Sequence, residues 1–275
     1  MDAKIICGDA LDAVRKMPSS SVDAVVTDPP YPGIARAYGT LTEDEWHGLV
    51  RPLVVELRRV LRPRGSAVLL IQPGFERIGR MRPWVWDFLA WAAREWGVIQ
   101  DAYAWNYAAI PSAGAKEGFM RSSLKYSVWV GPPDCHRDQD AVLWEESQWT
   151  TQQRLAARAG RLQAGRRNMP SGQGRDKRKV YEKSAERGGV TPFNVLPMTN
   201  ADPYRSKVAG RHPATTPYQW CHWWVRYICP PGGLVLDPFC GSGTVGVACR
   251  ELGRGYVGVE LDAGYAATAR TRLGV

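Results

Sequence analysis

Two kinds of hydrophobic pattern alternate over residues 4–130 and again from about residue 213 onward. Short apolar runs of strand length are followed by longer segments whose apolar residues recur at helical spacing. The strand-like runs are 4–7, 22–27, 66–71, 98–106, 124–130, 234–236 and 255–259. The helix-like segments are 10–17, 49–61, 84–96, 220–228 and 245–252. This alternation predicts an α/β fold, with a mostly parallel sheet and helices on both of its faces.

Local signals refine two of the predicted helices. Thr42 and Glu45 have the spacing of a capping box, which begins a helix. Pro52 falls inside the apolar pattern that follows, so we expect a kink or a second helix start there. Gly65 is expected to end this segment, and Pro83 has the position of the first residue of the next helix.

Length and composition fit one large domain, or one domain with an insertion. The chain has 275 residues, of which 44% are hydrophobic. It contains no apolar stretch of about 18 residues that could span a membrane, and its start lacks a signal-peptide pattern. Its six cysteines form no C-x-x-C pair, so we expect neither a metal site nor a disulfide framework. These features are typical of a protein of the reducing cytoplasm.

Positive charge is concentrated where the regular alternation stops, between about Pro132 and Pro213. The whole chain has a net charge of +9, and residues 154–187 contain eleven Lys or Arg but three Asp or Glu. Such a segment predicts contacts with nucleic-acid phosphates. The candidate DNA-binding side chains are Arg154, Arg158, Arg161, Arg166, Arg167, Arg175, Lys177, Arg178 and Lys179. A solvated, partly disordered basic loop is the alternative, and both hold if the segment orders on DNA.

The strand at 234–236 leads into a glycine-rich turn and then a helix. Residues 237–244 read Asp-Pro-Phe-Cys-Gly-Ser-Gly-Thr, and the next strand ends in Glu260. A carboxylate at this distance from a glycine loop typically binds a ribose diol, so the segment predicts a nucleoside-cofactor site. Asp237 would repel a pyrophosphate, but it suits the positive charges of S-adenosylmethionine. A dinucleotide-binding fold is the alternative.

A second motif, Asp28-Pro29-Pro30-Tyr31, follows the strand at 22–27. Together with residues 237–244, it makes the chain resemble the DNA amino-methyltransferases, which methylate N6 of adenine or N4 of cytosine. The catalytic motif precedes the cofactor motif, as in the permuted β group of that family. The resemblance implies a Rossmann-like, S-adenosylmethionine-dependent methyltransferase sheet that is mostly parallel, with the strand at 124–130 antiparallel to its neighbours. It also implies a catalytic domain of residues 1–131 and 211–275, with a basic target-recognition insertion at 132–210.

The resemblance assigns roles to further residues. Asp9 is expected near the cofactor adenine, and it also suits a helix N-cap. His212 belongs to a His-Pro motif that packs at the methionine end of the cofactor, although a structural role is the alternative. The family has a basic residue where this chain has Thr216. The remaining cofactor-binding candidates are Asp237, Phe239, Cys240, Gly241, Ser242, Gly243, Thr244 and Glu260.

The implied chemistry explains the residue types at 28–31. An exocyclic amine is a poor nucleophile because its lone pair is delocalised into the base ring. Asp28 and the Pro29 carbonyl would accept hydrogen bonds from the two N–H groups of the amine. These contacts would free the nitrogen lone pair for in-line attack on the sulfonium methyl group. Pro29 and Pro30 stiffen the loop, and Tyr31 offers a ring on which a flipped base can stack.

The sequence predicts methylation of N6 of adenine in double-stranded DNA, with N4 of cytosine as the close alternative. An RNA or protein-amide methyltransferase, a non-catalytic DNA-binding relative and a nicotinamide-dependent oxidoreductase are further alternatives. The partner is expected to be duplex DNA rather than a membrane. A monomer and a homodimer both remain open, as does a cognate restriction endonuclease, and we expect the protein near the nucleoid of a bacterial or phage-infected cell.

Overall fold

The computed structural model describes residues 2–34, 39–77, 80–106, 118, 120, 122–145, 186–198 and 216–275. The chain divides into two compact units, one of residues 1–137 and 194–275 and one of residues 138–193. The helices described in the larger unit are α1 (Ala10–Arg15), α2 (Glu43–Val60), α3 (Trp84–Glu95), α4 (Tyr218–Ile228), α5 (Thr244–Glu251) and α6 (Ala263–Leu273). Its strands are β1 (Ala3–Cys7), β2 (Val22–Thr27), β3 (Leu61–Ile71), β4 (Phe75–Arg77), β5 (Arg80–Met81), β6 (Val98–Gln100), β7 (Tyr103–Asn106), β8 (Leu124–Val130), β9 (Val195–Met198), β10 (Leu234–Asp237) and β11 (Gly255–Glu260).

The main sheet has the strand order β1-β11-β10-β2-β3-β8-β7-β9, and β6 also pairs with β8. The five strands from β1 to β3 in this order are mutually parallel. β8 is antiparallel to β3, β6 and β7, whereas β9 is parallel to β7. The predicted α/β fold, with a mostly parallel sheet and one antiparallel strand, is therefore confirmed.

The order of connections reverses between β2 and β10. These strands are neighbours, but β2 continues through α2 to β3 on one side, and β10 continues through α5 to β11 on the other. Ligands of open α/β sheets bind beyond the carboxyl ends of the strands at such a switch point. Asp28 directly follows β2 and Asp237 ends β10, so the fold brings both sequence motifs to this point.

Aromatic side chains pack helices onto both faces of the sheet. On one face Trp46 of α2 makes edge contacts with Trp84 and Phe88 of α3, with ring centres 4.6 and 5.0 Å apart. On the other face the Trp220 indole nitrogen of α4 donates to Ser127 Oγ at 2.9 Å. Neighbouring residues of β8 point to opposite faces, so this strand contributes to both layers.

Three local expectations differ from the structure. α2 runs without interruption from Glu43 to Val60, so the second helix start at Pro52 is wrong. The missing N–H of Pro52 costs one hydrogen bond, but the buried face of this amphipathic helix offsets the loss. The helix ends at Val60 rather than near Gly65, because β3 begins at Leu61, and Pro83 is the N-cap of α3 rather than its first residue.

β9 was not anticipated, because Val195–Met198 falls within the predicted insertion of residues 132–210. Its four residues give too short a pattern to distinguish from a loop, and it forms by parallel pairing with β7. The boundaries between the two compact units lie inside the predicted boundaries, after residue 137 and before residue 194.

The smaller unit is described over residues 138–145 and 186–193. Trp144 and Val190 pair through their backbones as an antiparallel bridge. Arg187 forms an ion pair with Asp140 at 2.6 Å and donates to Gln139 Oε1 at 2.8 Å. These contacts bring the two ends of the unit together. No helix in the described part of the chain is long and apolar enough to cross a membrane.

Candidate functional site

A cavity of about 330 Å³ lies at the carboxyl ends of the parallel strands. Its volume is within the range typical of small-molecule sites. Both sequence motifs contribute to its wall, so the cofactor half and the catalytic half open into one space. The predicted residues that line it are Asp9, Asp28, Pro29, Pro30, Tyr31, Phe239, Cys240, Gly241, Ser242, Thr244 and Glu260.

The glycine loop between β10 and α5 folds back against the end of β11. The Cys240 amide donates to the Val259 carbonyl at 2.9 Å, and the Gly241 amide donates to Glu260 Oε2 at 2.8 Å. Gly243, the N-cap of α5, has a φ of +82°, and a Cβ there would lie 3.1 Å from that of Ala269. A glycine is therefore required at this position for both its backbone conformation and its close approach to α6.

Glu260 links the loop to the end of β11. Glu260 is 8% exposed, and its carboxylate accepts backbone N–H groups from Gly241 and Asp262, each at 2.8 Å. Burial raises the pKa of Glu260, and the two backbone hydrogen bonds oppose that effect. Because each carboxylate oxygen can accept a second hydrogen bond, the predicted ribose contact is chemically available.

Asp9 lies at the end of β1, on the same rim of the cavity. Its side chain accepts the Asp12 backbone N–H at 3.0 Å, which confirms the predicted N-cap of α1. The Gly8 amide donates to the Glu260 carbonyl at 2.9 Å, so the ends of β1 and β11 are held together. The contact of Asp9 with the cofactor adenine stays a prediction.

Asp28 receives hydrogen bonds on both carboxylate oxygens. The Tyr31 hydroxyl donates to Oδ1, and the Thr216 hydroxyl donates to Oδ2 at 3.0 Å. The Trp46 indole nitrogen donates to the Pro30 carbonyl at 2.6 Å, which fixes the loop to the buried face of α2. The fold thus holds the carboxylate in a defined orientation at the cavity wall.

Tyr31 is 8% exposed, and its hydroxyl also lies 3.2 Å from the Leu70 carbonyl. The Lys125 ammonium lies 5.4 Å from the centre of the Tyr31 ring, at a distance typical of a cation–π contact. Lys125 thereby brings a positive charge to the wall of the cavity that Asp28 also lines. The stacking of a base on Tyr31 stays a prediction.

Asp237 is placed behind the cavity wall. The residue is 2% exposed. One carboxylate oxygen accepts hydrogen bonds from the Thr27 hydroxyl at 2.7 Å and the Phe239 amide at 3.2 Å, and the Tyr256 hydroxyl lies 3.4 Å from the other oxygen. Burial raises the pKa of Asp237 to about 7, although the hydrogen bond from Thr27 opposes the shift. Asp237 therefore joins the ends of β10 and β2. Like Gly243, it is absent from the described lining of the cavity.

Cys240 lines the cavity as a neutral thiol. Burial, followed by the nearby carboxylates of Asp237 and Glu260, raises the pKa of Cys240 far above its usual value. A thiol that stays protonated is a poor nucleophile, so its position indicates a packing role. Among the residues that the structure describes, no group of three or more His, Cys, Asp or Glu side chains could hold a metal ion.

Several lining residues carry little or no signal in the sequence. Thr216 stands out there only as a departure from the family pattern, and Gln72, Lys125 and Tyr265 belong to no motif. A lysine within the apolar strand 124–130 is the one unusual feature that could have indicated Lys125. His212 and the nine basic candidates between Arg154 and Lys179 lie outside the described residues.

The charge and composition of the wall fit S-adenosylmethionine. Three carboxylates, from Asp9, Asp28 and Glu260, and one ammonium, from Lys125, line the described part of the cavity. An acidic cavity favours a ligand with sulfonium and ammonium charges. Apolar groups from Phe239 and Leu261 provide surfaces suited to an adenine ring. Fold, switch point and cavity together define a methyltransferase of the Rossmann-like class.

Comparisons with known proteins identify the family within this class. Residues 22–271 match the family model N6_N4_Mtase, described as DNA methylase. The Type II methyltransferase M.SmaI of Serratia marcescens is 29% identical over 283 residues, covering 98% of this chain and 90% of that protein. The DNA adenine methyltransferase YhdJ of Escherichia coli is 27% identical over 278 residues, covering 98% of this chain and 82% of YhdJ.

Solved structures share the fold. The PvuII DNA methyltransferase, titled cytosine-N4-specific, has a TM-score of 0.74 at 18% identity and covers 99% of this chain and 86% of its own. The complex of M1.HpyAVI with S-adenosylmethionine has a TM-score of 0.61 at 16% identity, and the match covers 99% of this chain and 100% of the M1.HpyAVI chain. The chain belongs to the N6/N4 DNA methylase family. It is an S-adenosylmethionine-dependent DNA methyltransferase of the amino-methylating kind.

Proposed function

We propose that the protein transfers a methyl group from S-adenosylmethionine to N6 of adenine in duplex DNA. The observation that carries this proposal is that Asp28 opens into the same cavity as the glycine loop and Glu260. The methyl donor and the target amine must meet within bonding distance, and one shared cavity at the switch point provides that arrangement.

The residues of the catalytic segment would orient the amine. The Asp28 carboxylate would accept one N–H of the target, and the carbonyl of Pro29, which lines the same cavity, would accept the other. The Pro30 carbonyl accepts the Trp46 indole N–H and anchors the loop. These two acceptors direct the nitrogen lone pair toward the methyl group on the sulfonium sulfur of the donor. The N–C bond would form as the S–C bond breaks, S-adenosylhomocysteine would leave, and the methylated nitrogen would release one N–H proton to solvent. The acceptors are preorganised, so they stabilise positive charge that develops on the nitrogen.

The cofactor residues divide into two groups. Asp9, Phe239, Cys240, Gly241, Ser242, Thr244 and Glu260 line the cavity and would contact the cofactor directly. Asp237 and Gly243 would act through the shape of the loop, because their contacts are internal. We place His212 with the first group, on the resemblance alone.

Extrusion of the target base from the duplex is part of the proposal. The amine of a stacked, paired base is out of reach of a concave cavity, so the base must rotate out of the helix. The basic segment of residues 154–187, within the proposed recognition region 132–210, would neutralise DNA phosphates while this occurs. A cognate endonuclease is a further proposal, supported by the Type II relatives.

N4 of cytosine is the second candidate. Both amines offer the same two N–H groups to Asp28 and Pro29, so this geometry accommodates either base. The PvuII enzyme, which shares the fold, is titled cytosine-N4-specific, whereas the relative YhdJ is named as an adenine methyltransferase. The Asp residue at the start of the 28–31 motif favours adenine.

The first experiment is nucleoside analysis by mass spectrometry of DNA from a methylation-deficient host that expresses the protein. We expect N6-methyladenine, and N4-methylcytosine would retain the mechanism and change the base. Asp28→Ala removes an acceptor for the amine, so it should reduce methylation by at least about 100-fold. Binding of S-adenosylmethionine should stay within about twofold, measured by calorimetry.

Comparing methylation with cofactor binding in the Asp28→Ala variant separates the roles of the two motifs. If Asp28→Ala abolishes cofactor binding as well, the carboxylate belongs to the cofactor site and its assignment to the amine is wrong. If the protein folds and binds S-adenosylmethionine but host DNA contains neither methylated base, the proposed DNA substrate is wrong and RNA is favoured instead.

A further inference from the structure

Asp28 is held by donors from two distant parts of the chain. Tyr31 comes from the same loop, whereas Thr216 comes from the segment that enters α4. The Thr216 hydroxyl lies 3.0 Å from Asp28 Oδ2, and the residue itself lines the cavity. Because each oxygen accepts one donor, the carboxylate cannot rotate about the Cβ–Cγ bond of Asp28 without breaking a hydrogen bond.

The backbone at Thr216 is held in place by the residues that follow it. It lies two residues before α4, and Pro217, the N-cap, is buried and restricts the backbone between them. The helix is fixed at its start by the Trp220 contact with Ser127 and by the Tyr218 hydroxyl, which donates to Glu251 of α5. The position of the Thr216 hydroxyl is therefore set by the packed core and by the helix that follows the glycine loop.

Thr216 offers Asp28 a neutral donor, because its side chain carries a hydroxyl and no charge. A hydroxyl orients the carboxylate while leaving its negative charge to stabilise the amine nitrogen as it becomes positive. Both oxygens keep one lone pair each for the amine.

We propose that Thr216 is a positioning residue that orients the Asp28 carboxylate for the target amine. The inference rests on the proposed function, since it specifies how that same site works. Thr216 acts through Asp28, so its loss should lower the rate of methyl transfer and leave cofactor binding unchanged. Serine keeps the hydroxyl and should restore the rate, whereas valine keeps the shape without the donor.

The test compares Thr216→Val, Thr216→Ala and Thr216→Ser with the wild-type chain. Substrates are radiolabelled S-adenosylmethionine and genomic DNA from a methylation-deficient host. Thr216→Val and Thr216→Ala should lower kcat about tenfold, the effect of losing one hydrogen bond made to a charged group. The KM for S-adenosylmethionine and the Tm should be unchanged, and Thr216→Ser should lie within about threefold of wild type. Thr271→Val, which removes an exposed hydroxyl from α6, is the matched control and should have no effect.

Three results would overturn the inference. The first is a kcat within twofold of wild type for Thr216→Val. The second is a serine variant as slow as the valine variant. The third is a fall in Tm or in cofactor affinity that accounts for the lost activity, including failure of both hydroxyl-free variants to fold. An inactive wild-type chain would instead remove the proposed function, and the inference with it, so the two failures are distinguishable.

Discussion

At the scale of single residues, the site depends on which carboxylates face the cavity. Asp9, Asp28 and Glu260 line it, whereas Asp237 lies behind the wall. All four end or follow a strand at the same edge of the sheet, which could be predicted from their sequence spacing. Which of them point inward could not be predicted, because Thr27, the partner of Asp237, is 210 residues away.

Glu260 provides a test of the cofactor half. In Glu260→Gln the side-chain NH₂ group faces a backbone N–H, that of Gly241 or of Asp262, so two donors oppose each other. The substitution also removes the negative charge that would bind a ribose diol. We expect the Kd for S-adenosylmethionine to rise about tenfold or more, since hydrogen bonds to charged groups contribute roughly 1.5–3 kcal/mol. Calorimetry measures the change.

The control for this variant is Glu56→Gln, which alters an ion pair with Arg59 on α2 and leaves the cavity untouched. It should bind the cofactor as wild type does. An unchanged affinity in Glu260→Gln would show that the carboxylate holds only the protein backbone.

At the scale of elements, the Thr27–Asp237 hydrogen bond joins the two motif-bearing strands at the switch point. Folding raises the pKa of Asp237 to about 7, from an ordinary value of 3.8. A carboxyl whose pKa is raised on folding stabilises the protein below its unfolded pKa and loses that contribution as the pH rises through its folded pKa. The stability conferred by Asp237 should therefore fall between pH 5 and pH 7.5.

Asp237→Asn isolates this contribution. The amide oxygen can still accept from Thr27 and Phe239, but the side chain no longer titrates. The free energy of unfolding of the wild-type chain should decrease by about 2 kcal/mol more than that of the variant between pH 5 and pH 7.5. Urea unfolding at the two pH values measures the difference, and parallel curves for the two proteins would mean that Asp237 stays ionised when buried.

The elements themselves were predictable to different degrees. Strands such as β2 and β8 form where the sequence indicates them, because each is a continuous apolar run. Pro52 misled the prediction of α2, since a local rule was outweighed by burial of the helix face. β9 depends on pairing with β7, which no local pattern records.

At the scale of the whole molecule, charge is distributed unevenly. Almost all of the net charge of +9 comes from residues 154–187, so the rest of the chain is close to neutral. Neutralising Arg166, Arg167, Lys177, Arg178 and Lys179 should reduce the magnitude of the slope of log K against log salt for DNA binding by up to about 4.5, because each of five phosphate contacts contributes about 0.9.

The matched variant removes the exposed Arg58 and Arg94, which lie on α2 and α3. It should leave the slope unchanged. Fluorescence anisotropy with a labelled duplex at several salt concentrations measures both variants. Equal slopes for the five-residue variant and the wild-type chain would place the DNA surface elsewhere.

The pairing of β1 with β11 has a consequence for the order of the motifs. The first and last described strands are parallel neighbours, joined from Ala3–Tyr256 to Cys7–Glu260. Linking the chain across this pair and opening it at another loop of the larger unit would leave every strand beside the same neighbours. The strand order of the sheet therefore does not dictate whether the catalytic or the cofactor motif comes first along the chain.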